Sequence, residues 1–389
     1  MASPQPDAFI DVTSTMKIAS PGVRRSEDHK ILGIELLRFL SSVAVLVFHY
    51  QHFLFVGNFP VDLRVSQQPL FSVLGLFYVN GFYGVEVFWC ISGFIFFWKY
   101  GRQLAEGAVS GYVFFVLRVS RLYPLHFATL LIVAVLQWVY FGSHGTYFIY
   151  PYNDLYHFVL QLFMASNWGL QLGDSFNGPI WSISIEVLVY TLFFLSLRYV
   201  ANSPLFLACI AAAGALVQVL KLSGHPFFNC VMFFYLGCLT AVVHQRSAGI
   251  SGTRRWTILA ALAWMACMLT AAYFVSIKAN YFLVLFVPPL ILFCVLTIPS
   301  SGWVEKMLVP AGNMTYASYL LHVPLQLATV LVCAYAGIHI PFYNPVFLLC
   351  FLVITLVLSH WTYEYFEMPA QKWLRRLLSR RPAAAAVRA

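Results

Sequence analysis

Charge is scarce in this sequence, and its scarcity excludes a soluble globular protein. Asp, Glu, Lys and Arg together make up 10% of the 389 residues, whereas 61% are hydrophobic. A chain that folds in water interrupts its apolar stretches with charged faces every few residues. Here apolar stretches long enough to cross a bilayer recur along the whole chain. We therefore predict a single multi-pass membrane domain over 31–370.

Three further absences narrow the class of protein. The polar segment 1–30 lacks the apolar core and cleavage site of a signal peptide, so it is predicted to be a disordered cytoplasmic tail. The eight cysteines lack the paired spacing of a metal site. The net charge of +9 is not accompanied by any base-reading module, and basic residues between apolar spans are typical of membrane topology rather than of nucleic-acid binding.

The hydropathy pattern predicts an all-α fold: a polytopic transmembrane helical bundle of about ten spanning helices plus one re-entrant or interfacial helix. The predicted spans are 31–50, 75–98, 122–141, 179–199, 204–221, 228–244, 256–275, 281–298, 314–335 and 346–366. An eleventh apolar segment, 155–170, is short and contains His157, Gln161 and Asn167. Hydropathy alone does not decide whether this segment crosses.

The distribution of loop charge decides that question. If 155–170 does not cross, 19 of the 23 Lys and Arg residues lie on one side, while only Arg64, Lys221 and Lys278 lie on the other and Arg38 is within a span. If it crosses, the split becomes 10 against 12 and the bias disappears. The positive-inside rule therefore favours a re-entrant or interfacial 155–170 that lines a cavity open to the outer face, with both termini cytoplasmic. The segment 371–389, with five arginines, is predicted to be a flexible basic cytoplasmic C-terminal tail.

The first predicted span contains three ionisable residues, Glu35, Arg38 and His49. Charges inside a bilayer are costly, so each is a functional candidate. Arg38 and His49 are separated by about 1100° of helical rotation, so they share one face and lie about 16 Å apart along the axis. The structural alternatives are that Arg38 pairs with Glu35 and snorkels, and that His49 is an interfacial histidine bonded to a carbonyl.

Other polar groups occur in later spans. Glu86 and Glu186 are carboxylates within apolar runs, and Ser182 lies four residues before Glu186 on the same helical face. Ser318 and His322 repeat that spacing. The alternative for either serine is a hydroxyl bonded within its own helix.

A basic segment between the second and third spans carries Lys99, Arg102, Arg118 and Arg121. Two arginines three residues apart on a helix form a fork that suits phosphate, because guanidinium groups bind phosphate oxygens bidentately. This pattern indicates a cytosolic phosphorylated ligand. Ordinary topological charge or contact with anionic lipid is the alternative.

Five motifs in this order together resemble one known family. They are the Arg38 to His49 spacing, Gly84-Val-Glu-Val-Phe-Trp-Cys-Ile-Ser-Gly93, Arg118-x-x-Arg121, Trp181-Ser-x-x-x-Glu186 and Ser318-Tyr-Leu-Leu-His322-x-Pro324. The sequence is similar to the acyltransferase-3 family of bacterial integral membrane O-acyltransferases, which O-acetylate polysaccharides, O-antigens and exopolysaccharides. It departs from the family where relatives often read Gly-Val-Asp-Phe-Phe-Phe, because Glu86 is the acidic residue here and Trp89 replaces the last Phe.

The resemblance implies an acyl group, acetyl or succinyl for example, taken from cytosolic acyl-CoA and placed on a hydroxyl of a glycan or lipid-linked saccharide. Acetyl-CoA would be the donor substrate, with no permanently bound cofactor, and proteins of polysaccharide synthesis or export would be candidate partners. The expected location is the bacterial inner membrane. Arg118 and Arg121 match the pair that is thought to hold the CoA phosphates, with Lys99 and Arg102 nearby, and His49 matches the family's catalytic histidine.

A mechanism follows from these roles. A sugar hydroxyl is a poor nucleophile until a base removes its proton, and the neutral imidazole of His49 suits that task. Arg38, Ser182 or a backbone N–H could stabilise the oxyanion, while Glu186 could orient His49 or a hydroxyl and Glu86 retains an acidic role. His49 or His322 could instead carry the acyl group covalently, so direct and two-step transfer both remain open. A multi-span transporter or export-complex component is the rival function, although no internal repeat is visible.

Overall fold

The computed structural model describes residues 30–200, 202–248 and 252–379, which form an α-helical bundle. Its only strands among these residues are β1 (Phe55–Val56) and β2 (Phe59–Pro60), which pair antiparallel. The helices are α1 (Leu32–His49), α2 (Phe71–Asn80), α3 (Gly84–Ala105), α4 (Gly111–His144), α5 (Leu155–Leu162), α6 (Ile180–Tyr199), α7 (Pro204–Val219), α8 (Phe227–Ala248), α9 (Thr253–Phe274), α10 (Ala279–Thr297), α11 (Gly302–Asn313), α12 (Thr315–Ala336), α13 (Pro345–Thr362) and α14 (Met368–Ser379).

The predicted spans correspond to helices of this bundle. Within the described residues, nine helical segments are long and apolar enough to cross a membrane, and α7 is a shorter apolar helix. Each of the ten predicted spans overlaps one of these ten elements. These helices confirm the prediction of an all-α polytopic bundle. Helices suit a bilayer because they satisfy every backbone polar group within the segment that crosses the lipid.

The segment 155–170 is helical only over the eight residues of α5. At 1.5 Å per residue such a helix is about 12 Å long, too short to cross a hydrocarbon core of about 30 Å. It is anchored to α4, because His126 Nε2 donates to the Gln161 carbonyl at 2.6 Å. Gln161 in turn donates to the Ser175 carbonyl at 2.8 Å. These bonds satisfy polar groups that would be costly to bury alone.

The expectation of a flexible tail from residue 371 is wrong for its described part. Residues up to Ser379 belong to α14, which follows α13 through a π-helical turn, Tyr363–Glu367. The helix is held against α4, because Tyr112 Oη donates to the Leu378 carbonyl at 2.6 Å. The predicted tail segments 1–29 and 380–389 lie outside the described residues.

Small residues set the separation of α3 and α8. A Cβ atom on Gly93 would meet the carbonyl oxygen of Phe234, and one on Gly237 would meet the carbonyl oxygen of Cys90. Cys238 Sγ donates to the Gly93 carbonyl at 3.4 Å. Glycine allows helix backbones to approach this closely within a membrane, so α3 is fixed where it forms a wall of the cavity described below.

Candidate active site

A cavity of about 410 Å³ is enclosed by residues from α1, α3, α4, α6 and α12 together with Lys30. This volume falls in the range of small-molecule sites. We call the end of the bundle that carries Lys30, Lys99, Arg118 and Arg121 the basic end, and the end that carries His49 the opposite end. The charged and hydroxyl-bearing residues of the lining include Lys30, Glu35, Arg38, Lys99, Arg118, Arg121, Ser182, Glu186, Thr315 and Tyr319.

The two arginines of α4 line the cavity at the basic end. Arg118 Nη2 donates to Tyr100 Oη at 2.7 Å, and its guanidinium lies 4.6 Å from the ring centroid of Phe96. These contacts hold the guanidinium in place. Neither Arg118 nor Arg121 forms an ion pair with a carboxylate of the described residues. Their positive charge is therefore available to an anionic ligand.

A second group of charges connects α1 to α12. Lys30 Nζ lies 3.9 Å from Glu35 Oε1 and donates to Asn313 Oδ1. Burial lowers the pKa of the Lys30 ammonium, and the charge of Glu35 partly opposes that shift. Arg38 makes the ion pair with Glu35 that belongs to the structural alternative, at 3.0 Å, but it also donates to Thr315 Oγ1 at 2.9 Å. Arg38 therefore joins two helices on the cavity wall rather than snorkelling outward.

The deep wall of the cavity contains Ser182, Glu186 and Tyr319, all buried or nearly so. Ser182 Oγ lies 3.3 Å from the Pro179 carbonyl and 2.8 Å from Tyr319 Oη. The bond within its own helix therefore exists, but the shorter bond crosses to α12. Glu186 Oε1 has no partner among the described residues. A buried carboxylate oxygen without a partner is costly and is typical of functional sites.

At the opposite end, two histidines form a direct hydrogen bond. His49 Nδ1 lies 3.1 Å from His322 Nε2, and His322 Nδ1 lies 3.2 Å from the Ser318 carbonyl. A carbonyl only accepts, so with both rings neutral His322 Nδ1–H donates to it and His322 Nε2 accepts from His49 Nδ1–H. Gln326 donates to the His49 carbonyl at 2.8 Å, and the ring of His52 lies 4.8 Å from that of His49. This chain of bonds leaves a lone pair on His49 Nε2.

Tyr319 adjoins both the cavity and the histidine pair. Neither His49 nor His322 belongs to the cavity lining, whereas Tyr319 does. The ring of Tyr319 lies 6.1 Å from that of His322, and its hydroxyl is bonded to Ser182. The two parts of the candidate site thus meet at one tyrosine side chain.

Two of the predicted residues lie elsewhere. Glu86 is buried but not part of the cavity lining, and it accepts from Asn229 at 3.1 Å. Asn229 in turn accepts from Asn280 at 3.2 Å. Arg102 is exposed and pairs at 2.7 Å with Glu106, the residue that follows its helix. The structure therefore brings Arg38, Ser182, Glu186, Lys99, Arg118 and Arg121 together around the cavity, and places His49 and His322 next to each other beyond it.

Sequence reasoning did not identify Thr315, Tyr319 or Gln326. Gln326 follows His322 by four residues, so the helical period could have indicated it. Tyr319 lies inside the quoted motif, but it carries no charge, and aromatic residues are common in membrane helices. Thr315 gave no signal, because a threonine is easily accommodated by a bond within its own helix.

Comparison with known proteins identifies the family of the chain. A family model described as an acyltransferase domain matches residues 31–364, nearly the whole bundle. No curated protein and no solved structure matches the chain. The matched range contains the cavity lining from Ile31 onward and the histidine pair, and α14 lies beyond it. The chain therefore belongs to the acyltransferase-3 family and is a multi-pass membrane acyltransferase.

Proposed function

We propose that the protein transfers an acyl group, acetyl in the first instance, from cytosolic acyl-CoA to a hydroxyl of a cell-surface or exported glycan. It would do so in the bacterial inner membrane with both termini cytoplasmic. One observation carries the proposal: a cavity with two arginines that pair with no carboxylate of the described residues is also lined by Tyr319, whose ring lies 6.1 Å from that of His322, the hydrogen-bond partner of His49. This arrangement offers separate places for a phosphorylated donor and for an acceptor.

The donor fits the basic end. The diphosphate of acyl-CoA would lie against Arg118 and Arg121, because guanidinium groups make charge-assisted bidentate bonds to phosphate. Lys30 and Lys99 add positive charge to the same lining. The acyl-pantetheine arm would extend along the cavity toward Ser182 and carry the thioester to its deep wall.

The acceptor fits the opposite end. His49 Nε2 removes the proton of the attacking hydroxyl, a bond forms between the hydroxyl oxygen and the acyl carbon, and the carbon–sulfur bond breaks. The proton then passes from His49 to the departing CoA thiolate, so atoms and charge balance. His322 holds His49 in the tautomer that this role requires, as the third member of a catalytic triad does. Tyr319 and Ser182 would supply hydroxyl donors to the developing oxyanion.

The test replaces the chromosomal gene by variants and measures ester-linked acyl groups on surface and exported glycans by mass spectrometry. We expect His49→Ala to abolish them while the purified variant still binds CoA. The double variant Arg118→Ala with Arg121→Ala is expected to weaken CoA binding. Arg255→Ala, which removes an exposed charge at the start of α9, serves as the matched control and keeps both properties. Unchanged glycan acylation in His49→Ala cells, with substrate flux into vesicles that lack acyl-CoA, would instead support a transporter.

A further inference from the structure

A third arginine approaches the arginines of α4 from outside the matched family range. Arg375 lies on α14, and its Nε donates to Ser120 Oγ at 3.1 Å. Ser120 is fully buried and lies between Arg118 and Arg121 in the sequence of α4. Because the bond from Tyr112 to the Leu378 carbonyl holds the same turn of α14, the guanidinium of Arg375 has a defined position.

The bond from Arg375 to Ser120 brings a third positive charge next to the two arginines of α4. The charges of Arg118 and Arg121 both act on Arg375, and Tyr100, which accepts the hydrogen bond from Arg118, also acts on it. Within the described parts of the chain, none of the three arginines is within ion-pairing distance of a carboxylate. Like charges held together at a partly buried site repel, so a bound anion would stabilise this arrangement.

The position of Arg375 relative to the cavity indicates that it would contact a different part of the ligand from Arg118 and Arg121. Arg118 and Arg121 line the cavity, whereas Arg375 is not part of the lining. In CoA the diphosphate is attached directly to the pantetheine arm, and the 3′-phosphate is carried by the ribose at the far side of the diphosphate. With the arm in the cavity and the diphosphate against Arg118 and Arg121, the 3′-phosphate would lie outside the cavity, where Arg375 is held next to α4 through its bond to Ser120.

We propose that Arg375 binds the 3′-phosphate of CoA, while Arg118 and Arg121 bind the diphosphate. This inference rests on the proposed acyl-CoA donor. It makes α14 part of the donor site and gives the protein a means to prefer CoA over molecules that lack the 3′-phosphate. A purely structural arginine, which would only attach α14 to α4, would affect ligands with and without that phosphate alike.

The experiment compares two ligands on the full-length protein in lipid nanodiscs. Isothermal titration calorimetry measures the dissociation constants of CoA and of 3′-dephospho-CoA. We expect the wild-type protein to bind CoA at least about tenfold more tightly, since charge-assisted bonds to phosphate are the strong ones. Arg375→Ala should bring the ratio of the two constants close to one by weakening CoA alone. Arg376→Ala removes the same charge from an exposed neighbour and should keep the wild-type ratio.

A second variant guards against misfolding. Arg375→Gln loses the charge but keeps an amide that can donate to Ser120, so it should also lose the discrimination while α14 remains docked. The inference would be overturned if either variant of Arg375 kept the wild-type ratio of the two dissociation constants, including the case in which the binding of both ligands is weakened equally. Wild-type protein that binds both ligands equally would overturn it while leaving the CoA donor intact. Wild-type protein that binds neither ligand would refute the proposed donor itself.

Discussion

Replacement of His322 by leucine tests the hydrogen bond between the two histidines. Without His322 Nε2, the His49 Nδ1–H loses its acceptor at 3.1 Å. An unsatisfied buried donor costs about 1–3 kcal/mol, which corresponds to a rate decrease of about 5- to 150-fold if the bond is needed in the transition state. His322 is fully buried, and leucine has a comparable side-chain volume, so it can occupy the same space.

Glutamine at the same position provides the matched comparison. The side-chain oxygen of glutamine can accept the bond from His49 Nδ1–H, so His322→Gln should keep the required tautomer and retain more activity than His322→Leu. CoA affinity should stay at the wild-type value in both variants, since His322 does not line the cavity.

The assay measures acylation of purified surface or exported glycan at saturating acyl-CoA, with product quantified by mass spectrometry, and CoA affinity measured by calorimetry on the same samples. A leucine variant with the wild-type rate would refute the role given to the histidine pair. Equal loss in the leucine and glutamine variants together with weaker CoA binding would show that His322 only maintains the fold.

Three other changes give distinct results. Tyr319→Ala removes the side chain that adjoins both the cavity and the histidine pair. Water should then reach the thioester, and hydrolysis of acyl-CoA to free CoA in the absence of acceptor should increase; an unchanged rate of hydrolysis would show that Tyr319 does not separate the two parts. The pKa of Lys30 is lowered from the ordinary value of 10.5, so acyl-CoA affinity should fall as the pH rises through that lowered pKa and the ammonium loses its charge. The Lys30→Arg variant stays charged and should not show this fall. A fall in affinity that persists in the variant would exclude Lys30 as its source. Gly93→Ala places a methyl group against the Phe234 carbonyl and should destabilise the bundle by about 1–3 kcal/mol in thermal denaturation, whereas Gly142→Ala, with open space around it, should not; equal stability of the two variants would contradict the close packing of α3 and α8.

The bilayer explains why so much of the fold could be predicted. A spanning helix needs about 20 apolar residues, and this requirement marks the sequence directly. The amphipathic helix α11, Gly302–Asn313, was not predicted, because Glu305 and Lys306 interrupt its short apolar pattern. The helix α14 was also not predicted, because its lysine and arginines have the composition of a tail. Its contacts are with residues of α4 more than 250 positions away, and these leave no local signal in the sequence.

The site shows the same division between local and distant information. The helical period placed Arg38 and His49 on one face, since both belong to one helix. The bond between His49 and His322 joins residues 273 positions apart, and no spacing rule predicts it. Arg118 and Arg121 were identified from their pattern, but the aromatic contacts that hold Arg118 come from α3, and a sequence does not show which helix packs against which.

The energetics of the Tyr319 boundary connect the two ends of the site. Under the proposed function the acyl carbon and the attacking oxygen must approach to about 3–3.5 Å, yet Tyr319 lines the cavity and His49 does not. The hydroxyl of Tyr319 is held to Ser182 by one hydrogen bond of 2.8 Å. Such a bond contributes about 0.5–1.5 kcal/mol, whereas even a micromolar ligand contributes about 8 kcal/mol on binding. Breaking this bond alone would use only a small part of such binding energy, so under the proposed function we expect Tyr319 to move when the acceptor binds and to shield the thioester from water until then.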